Sequence, residues 1–169
     1  MVALFGFLRL AGYLTDPLLS DREIHQTVGE PTRIGWIADP RQEIKVVTWN
    51  IQRGAEFDRI LSTLQTLDAD VLLLQEVDMF CRRTGGRDVA GELADALGMN
   101  WLCAGEFQEI GESLGRQPAL TGQAILSRYP LEDAVVLPFT AQAKLRWRLT
   151  PLEPRRGGRI ALRVRTAGV

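Results

Sequence analysis

Along the chain the apolar positions change period several times, and each change marks an element. The run IKVVTW, Ile44 to Trp49, is apolar and β-branched, which predicts a strand that ends at Asn50 and the glycine-marked turn IQRG. Phe57, Ile60, Leu61, Leu64 and Leu67 then recur at three- and four-residue steps, so the following segment predicts a helix with one apolar face. Val71 to Leu74 predicts a second strand, closing on Gln75, Glu76 and Asp78. Strand, helix and strand within about 30 residues is a βαβ unit. Its crossover makes the two strands parallel and neighbouring, so Asn50 and Glu76 are expected at one edge of the sheet, where open α/β sheets place ligands. A second helix is expected over Arg87–Leu97, with Val89, Leu93 and Leu97 on one side and Gly98 as its stop.

Past Gly98 the grammar turns to strands. NWLCA, GQAILS, DAVVLPF and GRIALRVRT predict short strands separated by Gly and Pro, and the last alternates Ile160, Leu162, Val164 with Ala161, Arg163, Arg165. A sheet that starts parallel and continues this way is mixed. Residues 21–43 carry Gly29, Pro31, Gly35 and Pro40 without a sustained period and read as a connector. The expected organisation is an N-terminal apolar segment and connector over 1–43, followed by a domain over 44–169. The apolar start lacks a basic n-region and is interrupted by Arg9, which favours a helix packed on the domain over a signal peptide. No stretch reaches the about 18 apolar residues of a bilayer span.

Composition changes this picture little. At 169 residues, 46% hydrophobic and 24% charged, the chain fits one globular domain. Cys81 and Cys103 have neither CxxC spacing nor a nearby histidine for a zinc site, and read as small buried hydrophobes in a reducing, cytoplasmic setting. A net charge of -1 gives no whole-molecule attraction to nucleic acid. Charge is concentrated locally, however: Lys144, Arg146, Arg148, Arg155, Arg156, Arg159, Arg163 and Arg165 face a single acid, Glu153. Arg156 and Arg159, beside Gly157 and Gly158, are the candidate substrate-binding residues, because guanidinium forks grip phosphate oxygens in pairs. Arg163 and Arg165 read as a solvated strand face. Trp147 has the chemistry to stack on a base.

A carboxylate and an amide oxygen at adjacent strand ends suit a hard divalent cation, Mg²⁺ with Mn²⁺ as the alternative. Glu76 would be the charged ligand, and Asn50 would position the carboxylate, a water or a phosphate oxygen. The plainer alternative is that Asn50 caps the turn and Glu76 begins a solvated loop. Neither GxGxxG nor GxxxxGK[ST] occurs, which argues against dinucleotide and P-loop chemistry.

VVTWNIQRG, DVLLLQEVD and GQAILSRYP, in that order, resemble the opening motifs of the endonuclease/exonuclease/phosphatase superfamily, over about Ile44 to Arg165. The resemblance implies an α/β (α+β) fold of the DNase I-like type, a two-sheet β-sandwich flanked by helices. It implies metal-dependent hydrolysis of phosphoester substrates, whether nucleic acids, phospholipid head groups or small molecules, with Asn50 and Glu76 as catalytic residues and Glu76 as a Mg²⁺ ligand. In that family a histidine in a late Ser-Asp-His type motif activates water, after a Gly-Asp-x-Asn segment. Neither motif occurs here, and the sole histidine, His25, precedes the first motif and reads as a solvated connector residue. The chain is therefore expected to carry the metal-binding half of an incomplete domain, to be the N-terminal part of a longer protein, and to be inactive by itself. No obligate protein partner is evident. The alternative function is a non-catalytic module that keeps the fold and holds a phosphorylated ligand or partner on its basic strand.

Overall fold

The computed structural model describes residues 16–34, 43–114, 117–141 and 154–166. The apolar segment over residues 1–15, and Lys144, Arg146, Trp147 and Arg148 of the basic stretch, lie outside the described residues. Among those described the elements are α1 (Asp21–Ile24), β1 (Thr27–Glu30), β2 (Val46–Arg53), α2 (Phe57–Leu67), β3 (Val71–Met79), α3 (Val89–Leu97), β4 (Asn100–Glu109), β5 (Leu120–Ser127), β6 (Leu131–Pro138), β7 (Arg155–Gly157) and β8 (Ile160–Thr166).

The βαβ unit forms as the periodicity requires. β2 and β3 pair in parallel, with Val46 opposite Val71 and Asn50 opposite Gln75. The rest of the main sheet is antiparallel, in the order β1-β4-β5-β3-β2, and β7 joins the β1 side of β4 further along that strand. The sheet is thus mixed, and β2 is its edge. Alternation along the strands sorts side chains between two layers. Ile51, Leu72, Leu74, Trp101, Cys103, Ala124 and Leu126 form a core with Ile60 and Leu64 of α2 and Val89 and Leu93 of α3. On the opposite face Leu102 and Ile125 meet Leu131, with Val71, Leu73, Leu162 and Val164 packed against them. Those last residues bring in the second sheet, in which β6 and β8 pair antiparallel. Two sheets, with helices on the outer face of the larger one, give the mixed α/β architecture expected.

Residues 21–30, read as connector, contain two elements instead. The Ser20 hydroxyl accepts from the Glu23 N–H while the Glu23 carboxylate accepts from the Ser20 N–H, a capping box that starts the single turn of α1. β1 pairs with β4, Val28 opposite Cys103. Strand β4 is also longer than NWLCA suggested, running to Glu109 with every residue buried.

Cys81 and Cys103 are buried free thiols, and burial pushes both above their ordinary pKa. No helix among the described residues is long and apolar enough to cross a membrane.

Gly122 of β5 lies between Val77 of β3 and Gly105 of β4. A Cβ there would fall 1.9 Å from the Ala104 carbonyl oxygen, so the strands close only around glycine. Gly122→Ala is expected to destabilise the protein by about 1–3 kcal/mol, as overpacking does, read as a lower urea midpoint.

Candidate functional site

Asn50 and Glu76 arrive at the same end of neighbouring strands, and both ends are irregular. Gln75 pairs with Gln123 and Val77 with the very next residue, Gly122, which leaves Glu76 as the extra residue of a β-bulge. On its other side the register jumps from Asn50 opposite Gln75 to Arg53 opposite Val77. Glu76 adopts φ 52°, and Gln52, Arg53 and Gly54 adopt φ 49°, 72° and 80°. Three left-handed residues that carry a Cβ, Gln52, Arg53 and Glu76, at neighbouring strand ends are a concentration of strain of the sort found where a side chain must be aimed. Gly54 suits its place sterically too, because a Cβ there would meet Val89 of α3 at 2.6 Å.

The bulge puts Glu76 on the wall of a depression of about 350 Å³ that it shares with Gln52, Arg53, Ala55, Arg83 and Thr84. It makes no hydrogen bond or ion pair with any described residue. Asn50 is exposed, and its Oδ1 accepts from the Gln52 N–H at 3.0 Å, so the turn-capping role anticipated for it is present. It borders a second depression, of about 310 Å³, which meets the first at Gln52 and Ala55. A carboxylate without a described partner, at the same end of the sheet as an amide oxygen that borders the adjoining depression, has the hard oxygen chemistry that a divalent cation retaining several waters takes. Among the described residues no group of three or more His, Cys, Asp or Glu gathers to hold a metal, so any such ion would rest on few protein ligands.

Arg156 and Arg159 are not brought to this place. β7 lies at the far edge of the sheet, three strand spacings of about 4.8 Å from β3, or about 14 Å. Arg159 pairs with the buried Glu106 at 3.1 Å and lies 5.3 Å from the Phe107 ring centre. Arg156 is exposed opposite Gln108 and feels the charge of Glu23. Arg165 pairs with Glu132 and Asp133 at 2.9 and 3.0 Å, as a solvated strand face would. His25 caps the end of α1.

What the sequence reading did not foresee is a buried charge cluster beside Glu76. Asp78, wholly buried, receives the Arg83 Nε and Nη2 donors at 2.7 and 2.8 Å and the Thr121 hydroxyl at 2.6 Å. Arg83 also donates to Thr121 Oγ1 at 2.8 Å and reaches Glu109 at 3.3 Å, while Arg155 approaches the other Glu109 oxygen at 2.8 Å. Burial would raise the Glu109 carboxyl, but Arg83 and Arg155 outweigh it and hold the group below its ordinary value. Burial likewise works against the Arg83 charge, and its two carboxylates overcome that. Asp78 follows Glu76 by two residues in the same motif. That spacing was visible, but the partners Thr121 and Glu109 are far away in sequence.

Two packed sheets with helices outside make this a mixed α/β protein of the DNase I-like kind. The chain belongs to the endonuclease/exonuclease/phosphatase family, whose model matches residues 47–164, well over half its length. No curated protein matches it. Among solved structures it is similar to an endonuclease/exonuclease/phosphatase from Beutenbergia cavernae DSM 12333, at 21% identity and a TM-score of 0.42, over 58% of this chain and 29% of that one. It is also similar to an AP endonuclease from Archaeoglobus fulgidus, at 19% identity and a TM-score of 0.40, over 75% of this chain and 38% of that one. The chain spans well under half the length of either.

Proposed function

We propose that this chain supplies the cation-holding part of a divalent-metal-dependent phosphoester hydrolase, with Glu76 as the charged ligand and Asn50 as the residue that orients it or the substrate. The observation that carries this reading is the Glu76 carboxylate, without a hydrogen-bond or ion-pair partner among the described residues and presented by a bulge at the strand end it shares with Asn50. Mg²⁺ bound there would polarise a phosphoryl oxygen. Arg53, on the wall of the Glu76 depression, brings positive charge to the place where a phosphate would lie. Water activation needs a base, and no imidazole stands beside Glu76. The one histidine, His25, stands at the end of α1 and does not line the Glu76 depression, and the chain alone is expected to bind metal without turning over. The substrate class stays at phosphoester. Two buried free thiols support a cytoplasmic, reducing setting. We keep 44–169 as the family domain, with β1 added to its sheet from the preceding connector.

The binding-module alternative draws on the basic stretch. Where described, that stretch is engaged in ion pairs at Arg155, Arg159 and Arg165, which favours a structural role for it. Titrating Mn²⁺ into the protein and following the free ion by electron paramagnetic resonance separates the two readings. Glu76→Gln is expected to weaken Mn²⁺ binding by more than about 10-fold, since even outer partners of metal ligands contribute that much. Equal affinity in the two proteins would end the metal reading and leave the module.

A further inference from the structure

Left-handed backbone is unfavourable for any residue with a Cβ, and it persists only where the surroundings over-determine it. Glu76 has that conformation at a point where the bulge has removed its own ladder pairing, so the strands beside it do not hold it directly. What holds it must be its neighbours in sequence. Before it, the Gln75 amide donates to Thr48 Oγ1 at 3.1 Å and to the Leu73 carbonyl at 2.8 Å. After it come only three residues, Val77 to Met79, before Phe80 turns left-handed again at φ 59°. Asp78 is the middle one of the three. It is gripped by both edges of the Arg83 fork and by Thr121. Arg83 is in turn tied to Glu109 of β4 through its side chain, and to the Glu112 carboxylate through its backbone N–H at 3.1 Å.

We infer that the Asp78–Arg83 pair is a latch that fixes the bulge and so aims Glu76, which makes Arg83 a positioning residue for the cation site. The inference deepens the reading given above and rests on it for the cation, but not for the conformation of Glu76. Four of the five Arg83 N–H donors go to Asp78, Thr121 and Glu109, so its guanidinium is rigidly committed to the protein. With the latch open, Glu76 is free to relax to ordinary extended geometry and swing its carboxylate off the depression wall. Glu76 is thus held from the side of the sheet opposite β2, by residues of β3, β4 and β5.

The test uses isotope-labelled protein and two readouts. The intraresidue HN–Hα cross-peak and the Cα and Cβ shifts of Glu76 report its left-handed φ, and Mn²⁺ paramagnetic resonance reports affinity. Arg83→Lys keeps the charge but loses the fork. It is expected to erase the left-handed signature and weaken Mn²⁺ binding about 10-fold. Arg128→Lys is the control, because Arg128 grips Asp70 and Asp68 at the opposite end of β3, and it should leave both readouts unchanged. Thr121→Val removes the bridging hydroxyl with little change of shape; it moves both readouts in the same direction by less, and it decides the matter should Arg83→Lys fail to fold. An unaltered Glu76 signature in a folded Arg83→Lys or in Thr121→Val overturns the latch, as does an equal change in Arg128→Lys. Wild-type protein that binds no Mn²⁺ overturns the proposed cation instead, while the Glu76 signature still judges the latch.

Discussion

Arg83→Met is expected to lower the unfolding free energy by about 3–5 kcal/mol, the range for removing one partner of a buried ion pair. The side chain is only 17% exposed and Asp78 not at all, so water is a poor substitute for the charge of the guanidinium. Glu109 keeps Arg155, but Asp78 is left with the Thr121 hydroxyl and the weak Cys81 thiol, and a buried carboxylate with neutral donors alone is poorly compensated. Most of the loss is therefore the cost of stranding Asp78. A second substitution makes that explicit: adding Asp78→Leu to Arg83→Met should recover stability, since an apolar pair replaces an ionic one at little net cost. Urea midpoints of wild type, single and double variants decide it, and a double variant no more stable than the single would refute the account. Acid gives an independent sign. Glu109 is held below its ordinary value, so its contribution is complete only above the unfolded glutamate range, about pH 5, and is lost as pH falls from there through the lowered value. With Arg83 gone that acid limb should become shallower.

The cluster also explains why fold and site were unequally legible in the sequence. β2, α2, β3 and α3 were readable because each carries enough apolar positions to declare a period, and the order strand-helix-strand leaves one handedness and one pairing to choose. Asn50 and Glu76 followed from that, as polar residues ending apolar strands. α1 and β1 were not readable. One is a single capped turn, and the other is four residues with a glycine whose added Cβ would meet the Trp101 carbonyl oxygen at 2.4 Å. Such a strand exists because β4 offers it an edge, and nothing local announces that edge. The bulge is similar: QEVD alternates well enough to pass for regular strand, and the extra residue appears only when Gln123 and Gly122 are set opposite it. Arg159 shows the converse error of emphasis. Beside two glycines it reads as a mobile phosphate contact, whereas its partner is Glu106, 53 residues earlier. Charge meaning depends on partners that are distant in sequence, while hydrophobic period does not.

Leu93→Ala should cost about 2–5 kcal/mol, as large-to-small changes in packed cores do. α3 has nine residues, fewer than the about 12–15 at which an isolated helix is even marginal, so it owes its existence to packing. Leu93 is wholly buried near the middle of its apolar stripe, between helix and sheet. Truncating it leaves a cavity that the flanking strands, fixed by pairing on both sides, cannot close. Leu97→Ala, one turn later and only half-buried, is the comparison and should cost clearly less. The damage should also travel. α3 begins at Val89, whose methyl groups occupy the space beside Gly54 that a Cβ would need, and Gly54 belongs to the left-handed turn that borders Glu76. A loosened α3 therefore relaxes that turn, and hydrogen exchange at Gly54 and Ala55 should quicken in Leu93→Ala by more than at the β6–β8 pair, which α3 does not support. Equal acceleration everywhere would mean that the helix stabilises the domain globally and has no particular hold on the site.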